Sequence, residues 1–324
     1  AIRMARHGGL EWPAAAAAAR AIVSAQASSI NFDQTTAAFS ASLSTLMTAL
    51  NGAGVFTDAA YRGLRTVKSA TRALDHFTRA TSDRVAFNTT YGPISCYQPG
   101  AGYVQCLGIP YARPPIGDLR WRNPENPIAW TQTRDAVNYP DQAPQAANYA
   151  SSGEGEVSED CLYLNVTAPS GATGLPVMVW LHGGAFGILT SSTKNYNNHL
   201  SLPTKGVVLV TVNHRLGPFG YMAHPWLTAE QGQSGNYGQR DLIKALEWVR
   251  DNIATFGGDP NNVTIFGQSG GGGKSISLMA SPLAAGLFHK VICQSGMAPG
   301  DALNHSTLAV AEAKGSALTN NFVN

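Results

Sequence analysis

Charge is scarce in this chain. Only 13% of its 324 residues are Asp, Glu, Lys or Arg, and the formal net charge is +2. A protein that neutralises phosphates needs a basic stripe, so nucleic-acid binding is set aside. Long apolar runs are also missing: no stretch of about eighteen apolar residues marks a membrane-spanning helix. Cysteines are few, at positions 96, 106, 161 and 293, and none has C-x-x-C spacing. A zinc site is therefore not expected, and nothing calls for another metal or a cofactor. Cys96 and Cys106 flank Gln98–Gly102, a stretch with the composition of a hairpin turn. A disulfide across two strands and a pair of buried thiols both stay open there, with the thiols preferred. The first residue is not Met, and Ala14–Ala19 followed by Ala25-Gln26-Ala27 imitates a secretory leader. Glu11 and Arg20 interrupt the apolar centre that a leader needs, so none is assigned and the compartment stays open.

What is present suffices for one large α/β domain and a smaller element: 44% of the residues are hydrophobic. Residues 1–82 are rich in Ala, Ser and Thr. Phe39, Leu43, Leu46, Met47 and Leu50 recur at helical spacing, as do Leu64, Val67, Leu74 and Phe77. Arg62, Arg65, Lys68 and Arg72 fall off the second stripe, as on a solvated face. This segment is read as a helical extension of unassigned role. From Asp83 the texture changes to short β runs between Gly/Pro turns. Val85–Gly92 and Tyr103–Ile109 predict an antiparallel hairpin. Cys161–Val166, Val177–Leu181, Val207–Val212, Val263–Phe266 and Val291–Cys293 predict buried strands. Between them, Leu242, Ala245, Leu246, Val249 and Ile253 place a helix over 241–256. The alternation predicts an α/β domain over 83–324, its mostly parallel sheet edged by the hairpin.

Gly267-Gln268-Ser269-Gly270-Gly271 fits G-x-S-x-G, and it stands between the strand ending at Phe266 and a helical run containing Ile276, Leu278 and Met279. In that setting the motif is a nucleophile elbow, a turn so sharp that it pushes the Ser hydroxyl out above the sheet. A Gly-rich turn without chemistry is the plain alternative. A phosphate-binding loop is the other, since Gly273-Lys274-Ser275 supplies its ending. That loop needs Gly at 268, where Gln stands. Upstream, His182-Gly183-Gly184-Ala185-Phe186 follows a strand directly, and its small residues leave backbone N–H groups free to face a developing oxyanion.

These stretches resemble the type B carboxylesterase family of α/β-hydrolases. The likeness runs from about Asp83 to Asn324. It is carried by Gly108-Ile109-Pro110-Tyr111-Ala112, Leu119-Arg120-Trp121, Ser158–Val166, the His182–Phe186 loop, Asn213-His214-Arg215-Leu216-Gly217, Gly235-Asn236-Tyr237-Gly238 and Gly257-Gly258-Asp259-Pro260. The resemblance implies a serine esterase acting on small carboxylic esters. Ser269 would be the nucleophile, with Gly184, Ala185 and Gly270 lending N–H groups to the oxyanion. It implies buried ion pairs of Arg120 with Glu159 and Arg215 with Asp241. His182 and His214 match motif positions other than the general base.

Three departures stand out. Gln268 replaces the Glu common before the nucleophile. The segment 143–161 has no Trp, and Ala143 stands where extracellular relatives pair a cysteine with the position of Cys161, so neutral esters suit the site better than quaternary ammonium ones. In this family the acid and the His follow the Ser at a distance, beyond the part that 309–324 resembles. The chain therefore reads as the N-terminal part of such an enzyme, its sheet incomplete at the C-terminal edge. His289 precedes its strand, at the end away from Ser269. Asp301 and His305 follow it and would share a face of one helix; they are the substitutes in hand. Weak activity of the chain alone is the expectation, as is a non-catalytic or complemented module if no base is supplied.

Overall fold

Strands Val208–Val212 and Leu175–Leu181 are runs of β-branched and large apolar residues, and the first is buried at every position. Such strands are stable only where both faces of a sheet are covered. The computed structural model describes residues 79, 83–98, 102–146, 153–193, 201–296 and 306–320. The stripes expected within 1–77, together with Asp301 and His305, lie outside the described residues. The strands are β1 (Asp83–Thr89), β2 (Gly92–Gln98), β3 (Tyr103–Pro110), β4 (Arg134–Asp135), β5 (Tyr163–Pro169), β6 (Leu175–Leu181), β7 (Val208–Val212), β8 (Gly258–Gln268) and β9 (Lys290–Gln294). Among the described residues the α-helices are, in chain order, α1 (Gly217–Tyr221), α2 (Pro225–Gln231), α3 (Tyr237–Asn252), α4 (Gly270–Met279) and α5 (Leu308–Asn320).

The sheet runs β1-β2-β3-β5-β7-β6-β8-β9, with the short β4 beside β2. Its second half, β7-β6-β8-β9, is parallel. β5 is antiparallel to both β3 and β7, so the strand at Tyr163–Pro169 belongs to the antiparallel half. The helix over 241–256 is confirmed and starts a turn earlier, at Tyr237. Its last turn tightens to a 3-10 helix, Ile253–Phe256. Leu242, Ala245, Leu246, Val249 and Ile253 are all fully buried against the sheet. Each large aliphatic side chain so placed contributes about 1.5–3 kcal/mol.

Two expectations are corrected. The run Val85–Gly92 is not one strand: the chain reverses at Thr90-Tyr91, and β1 pairs with β2 in continuous register from Asp83↔Gln98 to Thr89↔Gly92. No Asn-Gly marks this turn. Instead the Thr89 hydroxyl accepts from the N–H groups of Tyr91 and Gly92 and donates to Gly92 O. A β-branched residue, read from sequence as strand, does the work of a turn residue. Secondly, Cys96 and Cys106 are joined as a disulfide rather than buried as thiols. Tyr97 and Gln105 pair across β2 and β3, which brings the flanking cysteines opposite one another. The bridge closes a short loop, with a sequence separation of 10. Replacing both cysteines by Ala is expected to cost about 2–3 kcal/mol of stability, read from the midpoint of a urea transition. Cys161 and Cys293 are free thiols.

The registers bring four loops to one end of the sheet. Leu181 faces Val212 on one side and Gly267 on the other, and Gln268 faces Gln294. The segments after β6, β7, β8 and β9 therefore emerge together at the carboxyl ends of the parallel strands, where ligand sites of open α/β sheets lie. Among the described residues β9 pairs only with β8, and Ile292 on it is 44% exposed.

Candidate active site

The sharp turn after β8 is forced by contacts on both sides. A Cβ on Gly271 would lie 2.0 Å from Leu181 O, and one on Gly267 would lie 2.5 Å from the Gly271 carbonyl carbon. Only glycine lets α4 start so close to β6. The residue between them absorbs the bend: Ser269 has φ 57° and ψ −123°. That conformation costs a non-glycine residue about 1–3 kcal/mol. It is held by the Ser269 N–H donating to Gln294 O at 2.8 Å and by Ser269 O accepting from Gly273 N–H at 3.1 Å. The Ser269 side chain is left half-exposed at the start of α4.

The loop after β6 meets this elbow. A Cβ on Gly183 would sit 3.6 Å from the Ser269 Cβ, and one on Gly270 would sit 2.8 Å from Ala185 N. The structure thus brings together Ser269, Gly270 and Ala185, with Gly184 next in line. Gly184, Ala185 and Phe186 all have positive φ, at 85°, 48° and 63°. Gly184 O accepts from Gly187 N–H at 2.9 Å and Ile188 N–H at 3.0 Å. Among the described residues, the N–H groups of Gly184 and Ala185 have no backbone acceptor. The Gly270 N–H is one of the unpaired donors in the first turn of α4, at the positive end of its dipole. The loop after β6 and the first turn of α4 thus meet beside Ser269, each with backbone N–H groups that no other backbone group among the described residues accepts.

Beneath the loop lies a basic cluster that sequence reasoning missed. Lys274, on α4, is fully buried, and its Nζ donates to His182 O at 2.8 Å and to Gly183 O at 3.5 Å. Its Nζ also stands 5.4 Å from the centroid of the Phe186 ring. The His182 and His214 rings lie 4.6 Å apart, centroid to centroid. Burial, then the Lys274 charge, holds both imidazoles well below the usual histidine range. Burial brings the Lys274 ammonium down to about 7. A phosphate-loop lysine would face solvent, so that reading of Gly273-Lys274-Ser275 is overturned. The signal was present in the spacing: Lys274 precedes Leu278 by one helical turn, and both are buried. Ile276 and Met279, expected on the apolar face, are half-buried and 62% exposed respectively.

The expected ion pairs form, with different surroundings. Arg215 and Asp241 are buried, at 2% and 0% exposure, and their side chains meet at 2.8 Å and 2.6 Å. Arg120 and Glu159 meet through two contacts of 2.6 Å, but their side chains are 37% and 23% exposed. That pair is partly solvated rather than buried. Ala143 and the free Cys161 are both buried in the main core.

Known proteins share this organisation. A sequence profile of the carboxylesterase family matches residues 87–321. A fumonisin B1 esterase from Sphingopyxis macrogoltabida is 46% identical over 217 residues, 64% of this chain and 39% of its own length. A para-nitrobenzyl esterase from Bacillus subtilis (strain 168) is 46% identical over 193 residues, 58% of this chain and 39% of its own. The solved structure of a thermophilic PNB esterase superposes with a TM-score of 0.67 at 40% identity, covering 72% of this chain and 48% of that one. The chain thus spans less than half the length of these relatives. The mixed sheet, with its strand–elbow–helix unit, is an α/β-hydrolase fold, and the chain belongs to the carboxylesterase family.

Proposed function

We propose that this chain carries the acylating machinery of a carboxylic ester hydrolase acting on small-molecule esters. Ser269 Oγ attacks the ester carbonyl carbon, and the oxyanion rests on the N–H groups of Gly184, Ala185 and Gly270. Collapse breaks the bond to the alkoxy oxygen, the alcohol leaves with the proton given up by Ser269, and water then releases the acid. The observation that supports this reading is the Ser269 backbone, held at φ 57° beside free donors on two separate elements. The relatives, named a fumonisin B1 esterase and a para-nitrobenzyl esterase, point to the same chemistry.

The base is a separate matter. Among the described residues no histidine hydrogen-bonds Ser269. His182 bonds Gly183 O, His224 caps α2, and His289 accepts from the Val263 N–H in the middle of β8, before the elbow is reached. This favours a second reading, a module that becomes catalytic only when another segment or chain supplies the base. In either case an oxyanion hole together with substrate binding gives about 10³–10⁴ over water. Exposure to a fluorophosphonate is therefore expected to give slow labelling confined to Ser269, seen by peptide mass analysis and absent in Ser269→Ala. No labelling of the wild type over many hours would sink the serine-esterase reading. Steady turnover of a p-nitrophenyl ester that disappears in His305→Ala would replace the second reading with His305 as the base.

A further inference from the structure

The oxyanion hole proposed above is made of two pieces that no local sequence holds together: the loop after β6 and the first turn of α4. One side chain joins them. Lys274 is rooted in α4, the helix that opens with Gly270, and its Nζ ends on the carbonyls of His182 and Gly183 in the loop.

The consequence follows from peptide geometry. All described peptide bonds are trans, so the C=O of one residue and the N–H of the next lie in one plane and point in opposite directions. The 2.8 Å bond to His182 O anchors the loop, and the longer contact with Gly183 O, at 3.5 Å, favours that carbonyl on the cation's side and so the Gly184 N–H on the other. His182 Nδ1, 3.0 Å from the same oxygen, reinforces this in the tautomer that carries the proton there. The neighbouring donor is aimed by different means: Gly184 O is held by Gly187 and Ile188, which turns the Ala185 N–H the other way. Each donor of the loop is thus oriented through the carbonyl of its own peptide unit. Contact of Gly273 with the Phe186 ring, where a Cβ would meet Cζ at 3.6 Å, packs α4 against the same loop.

We propose that Lys274 is a positioning residue of the oxyanion hole, its buried ammonium clamping the loop carbonyls of His182 and Gly183 to α4 so that the Gly184 N–H faces Ser269. The inference rests on the serine-esterase reading of the site. The groups that face this ammonium are the His182 and His214 imidazoles, the Phe186 ring and the two carbonyls; no carboxylate among the described residues pairs with it. Gln268, which stands by Gly183, is neutral as well. The positive charge is therefore uncompensated and acts on the hole above it. Burial brings Lys274 to about 7, so the field weakens as pH rises through neutrality. His182 and His214 stay neutral over that window.

The test uses the full 324-residue chain, phosphonylated at Ser269, with the phosphonyl oxygen as a stand-in for the oxyanion. Mass analysis first establishes that the label is on Ser269; no label overturns the serine-esterase reading and this inference with it. In the labelled wild type, the phosphorus NMR resonance is expected to shift with a midpoint near pH 7. Lys274→Met, of similar length but without donors, should remove that titration and slow labelling by about 10–100-fold, less than the full loss of one donor. Lys274→Gln keeps a donor without charge, so it should restore much of the rate but not the titration. If Lys274→Met does not fold, Lys274→Gln carries the comparison. A folded Lys274→Met protein labelled at the wild-type rate would overturn the clamp. So would a folded variant that keeps both rate and titration. The serine-esterase reading survives either result.

Discussion

Replacing Asp241 by alanine is expected to lower the stability of the fold by about 3–5 kcal/mol, the range for stranding one member of a buried ion pair. Asp241 is fully buried and receives three hydrogen bonds from Arg215: from Nε at 2.8 Å, from Nη2 at 2.6 Å and from its backbone N–H at 3.0 Å. Without the carboxylate, the guanidinium stays 2% exposed with nothing to balance it. Its Nη1 already has no partner among the described residues. The Tyr237 ring, 5.5 Å away, interacts too weakly with the cation to compensate. Because most of the cost is the stranded charge, the double variant Arg215→Met with Asp241→Leu should recover most of it. Urea denaturation of the three proteins decides the matter. A loss below about 1 kcal/mol in Asp241→Ala would show that water reaches the pair.

Gly271→Ala should strike the site itself. The added methyl would lie 2.0 Å from Leu181 O and 3.1 Å from the His182 carbonyl carbon. Both are backbone atoms at the end of a central strand, with no rotamer to yield. Relief requires α4 to move away from β6 by about an ångström, and overpacking of this kind costs about 1–3 kcal/mol. The larger effect is on geometry. The same displacement carries Ser269 and Gly270 away from Ala185, and a misplacement of about 1 Å costs roughly a hundredfold in rate. Phosphonylation of Ser269 is therefore expected to fall about a hundredfold while the fold persists. A Gly271→Ala protein labelled at the wild-type rate would mean that the elbow is not pinned by Leu181.

These two sites show what the sequence disclosed. The spacing of Leu242, Ala245, Leu246, Val249 and Ile253 fixes a helix and its buried face, because an amphipathic period needs no partner to be read. Gly267–Gly271 between a β-branched run and a helix likewise announces the turn, since only small residues tolerate it. What escaped depended on where distant segments meet. The turn at Thr89 was hidden because a threonine hydroxyl replaced the usual Asn or Gly. The Cys96–Cys106 bridge needed the pairing of Tyr97 with Gln105 to become visible. Lys274 shares its helix face with Leu278, but its acceptors are carbonyls, which every residue carries, so spacing alone named no partner for it. Arg120 and Glu159 were recognised as partners, yet their exposure is set by the surrounding surface.

The bond from Lys274 Nζ to His182 O joins residues 92 apart in sequence. Closing a loop of that length costs chain entropy on the order of 4 kcal/mol before any contact offsets it. Contacts of such range raise contact order and slow folding. The loop after β6 and the start of α4 are thus joined by ring closure between remote stretches of chain. Labelling of Ser269 during refolding reports when that closure is complete.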